Sequence, residues 1–500
     1  MADGLLIFCG VSVILLLLYY YLTSIHNFWK DRGIPGPRPT PIFGNLRAVT
    51  FREISMADLV RQMYNEYKHV PVFGIFAGNS PILIINDMDM IKDVLIRDFS
   101  LFSDRGVPIF PEVEPLCEHL GHLEPERWRP LRTRLSPVFT SGRIKEMLPL
   151  VVECGQHLKE YLDKVVSNGK PVDCREIAAK FTTDVIGSCA FGIDMNALSD
   201  ENSEFLAMGK KVFTLSPKKL MREIGRQFFP RLYKVVGHVF QTTYLTNFFI
   251  NVVVDTINYR EKSNIIRPDF INMLMELKKN PHNLENIELT DSLLASQVYV
   301  FFIAGYETSS STMSHSLYEL AINTDMQDKL RKEIRENYAQ HGETLTFAQV
   351  NEMKYLDLVF RETLRKYPIV PMLMRKVSTN YTFKGTNVTI PKGTNVWIPV
   401  YGIHRDPDIY SKPEVFDPER FAEGAVPAKH PMSYLAFGDG PRNCIGARFA
   451  VYQSKVGLIS ILRNYRVDVC EKTRIPYESD SQSPLLILKG GVVLKITKVE

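Results

Sequence analysis

The sequence predicts a mainly α-helical protein with a smaller β-rich part, preceded by a membrane-anchoring helix. Residues 290–322 contain no proline and a single glycine, Gly305, which is typical of one very long helix. Residues 381–397 have the composition of short strands with a turn at Lys384-Gly385. Residues 5–22 form an uncharged, almost wholly apolar run of 18 residues, which is about the length needed to cross a bilayer.

The length and composition indicate one large globular unit behind the anchor. The chain has 500 residues, of which 45% are hydrophobic and 23% are charged, so it can bury a large core. No repeat or low-complexity tract divides it. We expect a membrane anchor at residues 1–25, a basic and proline-rich hinge at residues 26–47, and a catalytic domain at residues 48–500. The net charge of +4 is modest and does not favour a nucleic-acid partner.

The charges around the apolar run predict the orientation of the anchor. Asp3 precedes the run, whereas Lys30, Arg32 and Arg38 follow it, so the positive-inside rule places the bulk of the chain in the cytosol. A cleavable signal peptide is the alternative, but it would need a basic start and a small-residue cleavage site. Four prolines in residues 33–41 predict a stiff, extended connector that spaces the domain from the membrane.

The cysteines indicate a reducing compartment. They are too few and too scattered for a disulfide framework, and no C-x-x-C or C-x-x-C-H motif occurs. They lie at positions 9, 117, 154, 174, 189, 444 and 470.

One of these cysteines, Cys444, lies in the glycine-rich segment 437–446, whose sequence is F-G-D-G-P-R-N-C-I-G. The apolar run 445–450 predicts a helix start. Because amide N–H groups and the positive end of a helix dipole stabilise an anionic sulfur, we expect a lowered pKa for Cys444. Arg442 adds a cation, and Phe437 can shield the sulfur from water. An ordinary buried cysteine is the alternative, but the fixed spacing of the motif disfavours it.

The middle of the long helix carries a second unusual motif, Ala304-Gly305-Tyr306-Glu307-Thr308. The small side chains of Ala304 and Gly305 would let the helix approach a flat cofactor. The Thr308 hydroxyl can bond the carbonyl four residues back and open the helix locally. A purely structural polar spine on a buried helix is the alternative to a functional role for so short a motif.

Together these motifs resemble those of the cytochrome P-450 superfamily of haem-thiolate monooxygenases. F-x-x-G-x-R-x-C-x-G is similar to the haem-binding signature of that family, and A-G-Y-E-T is similar to its A/G-G-x-D/E-T motif. The resemblance implies the P-450 fold, haem b (iron protoporphyrin IX) as cofactor, and Cys444 as the axial ligand of the iron. It also implies cofactor contacts from Phe437, Gly440, Arg442, Gly446 and Ala304, and proton delivery by Glu307 and Thr308.

Two further motifs are similar to family features. Trp128 and Arg132 resemble W-x-x-x-R, which implies contacts from the indole N–H and the guanidinium to the haem propionates. By position, Arg105 and Arg375 are further propionate ligands. The Glu362-x-x-Arg365 motif and the Arg of Pro418-Glu419-Arg420-Phe421 resemble the family's buried ionic triad, so Glu362, Arg365 and Arg420 are expected to be structural.

The resemblance extends over essentially the whole chain and implies a microsomal enzyme. Residues 183–192, T-D-V-I-G-S-C-A-F-G, are similar to a segment of the branch that contains insect detoxification enzymes and vertebrate drug-oxidising enzymes, and the chain is most similar to the insect members. The implied location is the endoplasmic reticulum membrane, with a single pass and a cytosolic catalytic domain. The implied electron donors are an NADPH-dependent flavoprotein reductase and, as a further candidate, cytochrome b5. A basic patch would attract the acidic donor, and it comprises Arg127, Arg129, Arg134, Arg143, Lys145, Arg448 and Lys455.

The expected substrate is a lipophilic small molecule, because the positions that would line the pocket are mostly apolar. These positions are the segment after Arg105, residues 205–249, Phe301, Phe302, Ala304, Val370, Met372, Leu373, Leu485 and Leu486. The preferred function is therefore hydroxylation or epoxidation of xenobiotics or of plant or endogenous lipophilic compounds, using O2 and NADPH-derived electrons. A haem-thiolate isomerase or dehydratase, and a non-catalytic haem protein that binds ligands, are the alternatives.

Overall fold

The computed structural model describes residues 2–200, 203–214, 216–267, 269–280, 287–425 and 430–499. Helices outnumber strands among the described residues, which confirms the mainly helical part of the predicted fold class. The helices α1 to α18 are Ala2–Thr23, Arg47–Thr50, Met56–Tyr67, Met88–Lys92, Pro125–Leu135, Ser141–Val166, Cys174–Ile186, Glu204–Phe213, Pro217–Phe228, Pro230–Val236, Thr243–Lys262, Phe270–Lys279, Asp291–Ile322, Thr324–His341, Phe347–Glu352, Lys354–Lys366, Val400–Ile403 and Ala447–Leu462. The strands β1 to β9 are Val72–Ala77, Ser80–Ile85, Val172–Asp173, Leu373–Lys376, Tyr381–Thr382, Thr389–Ile390, Asn395–Ile398, Tyr465–Asp468 and Val493–Lys498.

The largest of the described sheets has the strand order β1-β2-β7-β4. β1 and β2 form an antiparallel hairpin in which Ile75 lies opposite Ile82, and β7 pairs with β2 in parallel. The strands predicted for residues 381–397 are present as β5, β6 and the first part of β7. The turn between β5 and β6 contains Gly385 at a φ of +72°, a conformation that glycine adopts without a steric penalty.

The long helix α13 confirms the prediction for residues 290–322. It begins after Thr290, whose hydroxyl accepts a hydrogen bond from the backbone N–H of Leu293 at 3.1 Å. Its second half is buried on all sides among α7, α16 and α18. One detail of the prediction is wrong. A Cβ on Gly305 would lie 2.8 Å from the Ile186 side chain, so this glycine admits α7 rather than a cofactor.

A buried ion cluster holds α16 against the segment before the cysteine loop. Glu362 accepts hydrogen bonds from Arg365 Nε at 2.7 Å and Arg365 Nη2 at 2.8 Å, and Arg420 Nε lies 3.4 Å from the same carboxylate. The Glu362 and Arg365 side chains are both 0% exposed. Arg365 also donates to the carbonyl of Pro413 at 2.9 Å. The spare donors of the arginine are thus satisfied, which a buried charge requires.

The N-terminal part differs from the prediction in the arrangement of its proline-rich segment. The proline-rich segment is extended, but it is docked on the domain instead of standing free. The Trp29 indole donates to the carbonyl of Ile75 at 2.9 Å, and the N–H of Gly74 donates to the carbonyl of Pro35 at 2.8 Å. In the part of the chain that the structure describes, no helix is both long and apolar enough to cross a membrane.

Candidate functional site

The Cys444 segment is a tight loop that leads into α18. The backbone N–H of Cys444 donates to the carbonyl of Phe437 at 2.9 Å. Gly440 has a φ of +73°, and a Cβ at this position would lie 1.8 Å from the carbonyl oxygen of Leu95, so only glycine fits there. α18 begins at Ala447 with Gly446 as its N-cap residue.

The Cys444 side chain is accessible to solvent, but surrounding protein atoms are dense enough to desolvate its sulfur. Its neighbour Ile445 packs against the hydrophobic cluster that contains Val298 and Phe302 of α13. In the middle of α13, Ala304 is exposed while Phe302 is buried. Cys444 and Ala304 are thus both exposed, and the segments that carry them contribute to the same hydrophobic cluster.

The pKa of the Cys444 thiol is shifted in the direction opposite to the prediction. Burial raises the pKa of the Cys444 thiol above its ordinary value, and this effect is larger than the lowering by the Gly446 amide and by the Arg132 and Arg105 guanidinium groups. The loop alone therefore does not produce a free thiolate. A metal ion bound to the sulfur would supply the missing stabilisation, because a coordinating thiol is deprotonated outright.

Three arginines that lie far apart in the sequence gather beside this loop. Arg442 and Arg375 are each 2% exposed, and Arg105 donates to the carbonyl oxygens of Gly121 at 3.0 Å and Arg442 at 3.2 Å. Arg442 Nε, Arg442 Nη1 and Arg375 Nε are buried without a hydrogen-bond partner. These guanidinium groups form no salt bridge with any carboxylate that the structure describes.

Burial and mutual repulsion destabilise the charged forms of these arginines, and a bound anion would offset both effects. Burial, followed by the repulsion from Arg105, lowers the pKa of Arg375 to about 9. Burial, followed by repulsion from Arg105 and Arg375, lowers the pKa of Arg442 to about 9. Buried cations are normally paired, and forked N–H donors match carboxylates. A flat dicarboxylate with a metal centre, such as haem b, fits both these unpaired donors and the sulfur.

The Trp128 motif lies against the cysteine loop. The Trp128 indole packs under the Arg442 guanidinium at 4.2 Å from the ring centroid and against Phe99. Arg132 donates to the carbonyl of Asn443 at 3.0 Å and to Asn443 Oδ1 at 2.9 Å. Both residues therefore lie at the cysteine loop, where Trp128 supports Arg442 and Arg132 holds the residue before Cys444.

The two proton-delivery candidates on α13 have different surroundings. The Thr308 hydroxyl donates to the carbonyl of Ala304, as predicted, and α13 is continuous through this position. Glu307 is buried and turned toward α7. Its Oε1 atom accepts hydrogen bonds from Arg175 Nε at 2.9 Å, Arg175 Nη2 at 2.6 Å and Ser311 Oγ at 3.0 Å. Thr308 is thus next to the exposed Ala304, whereas Glu307 is held in an ion pair.

Some of the predicted pocket residues lie in one aromatic cluster or near the cysteine loop, and the others contact different parts of the protein. Phe205, Phe249 and Phe302 belong to one aromatic cluster across α8, α11 and α13, with ring centroids 5.4 Å apart for Phe249 and Phe302. Leu373 lies 3.7 Å from the position of a Cβ on Gly438, and Leu485 and Phe437 both pack against a small cluster that contains Ile369. Phe301, Met372 and Leu486 have other neighbours. Phe301 contacts the rings of Phe139 and Phe270. Met372 packs against the cluster that contains Trp397, and Leu486 belongs to the cluster of Tyr367 and Tyr401.

The sequence analysis missed a polar cluster between the loop before α5 and the helices α9 and α10. The Glu114 carboxylate accepts a hydrogen bond from Tyr233 and lies 3.4 Å from Arg226 and 3.8 Å from Arg222. These residues fall in the segments that were expected to be oily. No local pattern could have revealed the cluster, because Glu114 lies more than a hundred residues from Arg222, Arg226 and Tyr233 in the sequence.

The predicted basic patch is smaller than expected. Arg127 is engaged by Glu118 and Glu124, and Lys455 is 4% exposed and bound to Asp357 at 2.7 Å. These two residues are therefore not free cations. The exposed members are Arg129, Arg134, Arg143, Lys145 and Arg448, of which Arg143 pairs with Glu146.

Comparisons with known proteins show the family of this chain. The cytochrome P450 family model matches residues 34–496. The chain is 40% identical over 503 residues to probable cytochrome P450 6a14 of Drosophila melanogaster, covering 98% of this chain and 99% of the relative. It is 39% identical to cytochrome P450 6A1 of Musca domestica, covering 100% and 99%. It is 36% identical to cytochrome P450 6B1 of Papilio polyxenes, covering 98% of both. The chain therefore belongs to the cytochrome P450 family.

Proposed function

We propose that this haem-thiolate monooxygenase oxidises lipophilic small molecules, including xenobiotics and plant compounds, with Cys444 as the axial ligand of the haem iron. The observation that carries the proposal is the coincidence of Cys444 with unpaired, buried arginine donors in one loop region. When bound, the haem supplies activation of dioxygen and insertion of one oxygen atom into the substrate, which an electron-donating thiolate ligand favours.

The residues of α13 would handle protons at this site. The Thr308 hydroxyl donates a hydrogen bond to the carbonyl of Ala304. The lone pairs of its Oγ1 atom therefore remain free to accept a hydrogen bond from a bound molecule. Glu307 Oε1 already accepts three hydrogen bonds. The ion pair with Arg175 holds this carboxylate on the α7 side of α13. We therefore assign proton transfer to Thr308 Oγ1 first and to Glu307 second.

The function is tested by Cys444→Ser in the full-length chain, reconstituted with haem b, a flavoprotein reductase and NADPH. We expect the thiolate-type carbon monoxide difference spectrum and the turnover of lipophilic substrates to fall to background, because a serine hydroxyl does not supply a thiolate. Cys470→Ser is the matched control, since Cys470 contacts Thr473 and the carbonyl of Val493 and should keep both signals. A Cys444→Ser variant that retained both would refute the assignment.

We also propose that Arg442, with Arg105, Arg375 and Arg132, holds the haem propionates. Arg442→Gln should bind haem b about tenfold less tightly, because one charge-assisted hydrogen bond is lost. Haem dimethyl ester, whose propionates carry no charge, should bind the variant and the wild type equally. The measurement is the rate of porphyrin transfer to apomyoglobin. Arg129→Gln on the exposed face of α5 is the control.

An equal loss of affinity for the two porphyrins would show that Arg442 acts only by packing on Trp128. In that case the propionate assignment of Arg442 would be wrong.

We propose that the exposed cations around Cys444 dock an acidic NADPH-dependent flavoprotein reductase, with cytochrome b5 as a second donor. Arg129 and Arg134 on α5 and Arg448 in the first turn of α18 have no salt bridge to any described carboxylate, and all three are exposed. A surface patch of unpaired positive charges attracts a negatively charged partner protein.

Arg448→Glu should raise the KM for the reductase roughly threefold to tenfold and weaken its salt dependence. The fold should tolerate the change, because an acidic side chain in the first turn of a helix is favourable. Lys472→Glu is the control, because it lies beyond the far end of α18. Turnover driven by a hydroperoxide should be unchanged in both variants. If Arg448→Glu lowered that turnover as strongly, the residue would not act through the reductase.

We propose that residues 1–25 anchor the chain in the endoplasmic reticulum membrane, with residues 26–47 as the connection to a cytosolic catalytic domain at residues 48–500. The support is the surface of α1, where large apolar side chains are exposed. They are Leu6, Ile7, Phe8, Val11, Val13, Ile14, Leu16, Leu17, Tyr19 and Tyr20. Exposed apolar side chains over a whole helix are unfavourable in water and favourable in lipid.

Deletion of residues 2–25 should release the protein from microsomal membranes into the alkaline-carbonate supernatant, whereas the full-length chain should sediment with the membranes. Retention of haem by the deleted form shows that the domain is intact. A deleted form that still resisted carbonate extraction would contradict the proposal that this helix is the anchor.

A further inference from the structure

We propose that His404 is a positioning residue for Cys444. Its neutral imidazole joins the backbone of α16 to the backbone of the segment that enters the cysteine loop. The inference rests on the proposed role of Cys444 as the iron ligand and goes beyond it, because it names what sets the position of the sulfur.

Both ring nitrogens of His404 are bonded to main-chain atoms. His404 Nε2 lies 2.8 Å from the backbone nitrogen of Leu435, and Nδ1 lies 3.2 Å from the carbonyl oxygen of Arg365. A backbone N–H can only donate, so Nε2 must be the unprotonated acceptor. Nδ1 therefore carries the hydrogen and donates to Arg365. The two contacts together define one tautomer of a neutral ring.

The surroundings of the ring maintain that neutral state. His404 is 0% exposed, and burial, followed by the positive charge of Arg365, lowers its pKa to about 3. Arg365 Nη1 donates to the His404 carbonyl at 2.8 Å. The Tyr434 ring lies parallel to the imidazole, with centroids 5.4 Å apart and 5° between the planes. The imidazole is thus fixed in position, tilt and protonation.

Two further hydrogen bonds connect Leu435 to the sulfur-bearing residue. The carbonyl of Leu435 accepts from the N–H of Gly438 at 2.9 Å, and the carbonyl of Phe437 accepts from the N–H of Cys444 at 2.9 Å. Leu435 thus stands between His404 and the loop. Arg365 is itself held by Glu362. His404 therefore links the position of the cysteine loop to the buried ion cluster on α16.

A second buried histidine shows that this arrangement is specific. His315 on α13 is 1% exposed, and its ring lies 4.8 Å from the Tyr367 ring. Its Nδ1 atom is buried without a partner. His315 fills space in the core, whereas His404 bridges two backbone segments. The pair therefore provides a matched control for the loss of a buried imidazole.

The test compares His404→Ala, His404→Gln and His315→Ala in the full-length protein loaded with haem b. We expect His404→Ala to release haem to apomyoglobin about tenfold faster than the wild type, because the Leu435 N–H loses its buried partner. The thiolate-type fraction of its carbon monoxide complex should also fall, and the Leu435 amide should exchange faster. His404→Gln should restore all three, because a planar amide offers one donor and one acceptor. His315→Ala should lower the thermal midpoint without changing the spectrum.

The proposal is overturned if His404→Ala keeps the haem-release rate and the spectrum of the wild type, or if a folded His404→Gln behaves like the alanine variant. If His404→Ala does not fold, His404→Asn, which has a shorter amide that reaches one partner, takes its place with the same expectations. Failure of the Cys444 assignment is distinguishable, because then the wild type itself would give no thiolate-type spectrum.

Discussion

The unpaired positive charge beside Cys444 is the constraint on which the rest of the site depends. Arg105, Arg375 and Arg442 are drawn together by three distant parts of the chain, and the described residues provide no carboxylate to pair with them. A fold does not normally tolerate buried cations of this kind without an anion. The arrangement is reasonable only if an acidic group is part of the finished protein, and haem b brings two such groups together with the metal that the sulfur needs.

Two other sets of buried charges are paired within the protein, unlike the three arginines. Glu362 and Arg365 satisfy each other and the surrounding carbonyl groups, and Glu307 is matched by Arg175. These pairs fix the position of α16 and α13 and leave no capacity for a ligand. The contrast between closed ion pairs and open donors therefore separates the residues that support the site from the residues that bind within it, a distinction that the sequence motifs alone do not make.

Local patterns predicted much of the fold and of the site, whereas contacts between distant segments were not predictable. The long helix, the strands near Lys384-Gly385 and the glycine-rich cysteine loop each depend on neighbouring residues, and each was foreseen. The Gly305 contact with Ile186, the packing of Trp128 under Arg442 and the Glu114 cluster depend on tertiary neighbours. The pKa of Cys444 was predicted in the wrong direction because helix-dipole and amide effects were counted without the burial that outweighs them.

The docking of Trp29 has a practical consequence for how soluble forms of the protein are made. The indole covers the face of β1 at Gly74, where a Cβ would lie 2.2 Å from the ring, and Pro35 supplies a carbonyl to the same strand. A truncation that stops before Trp29 keeps the first strand of the main sheet covered. One that removes the whole proline-rich segment would uncover the apolar face of β1 at Gly74 and the main-chain donor of that residue, and would favour aggregation.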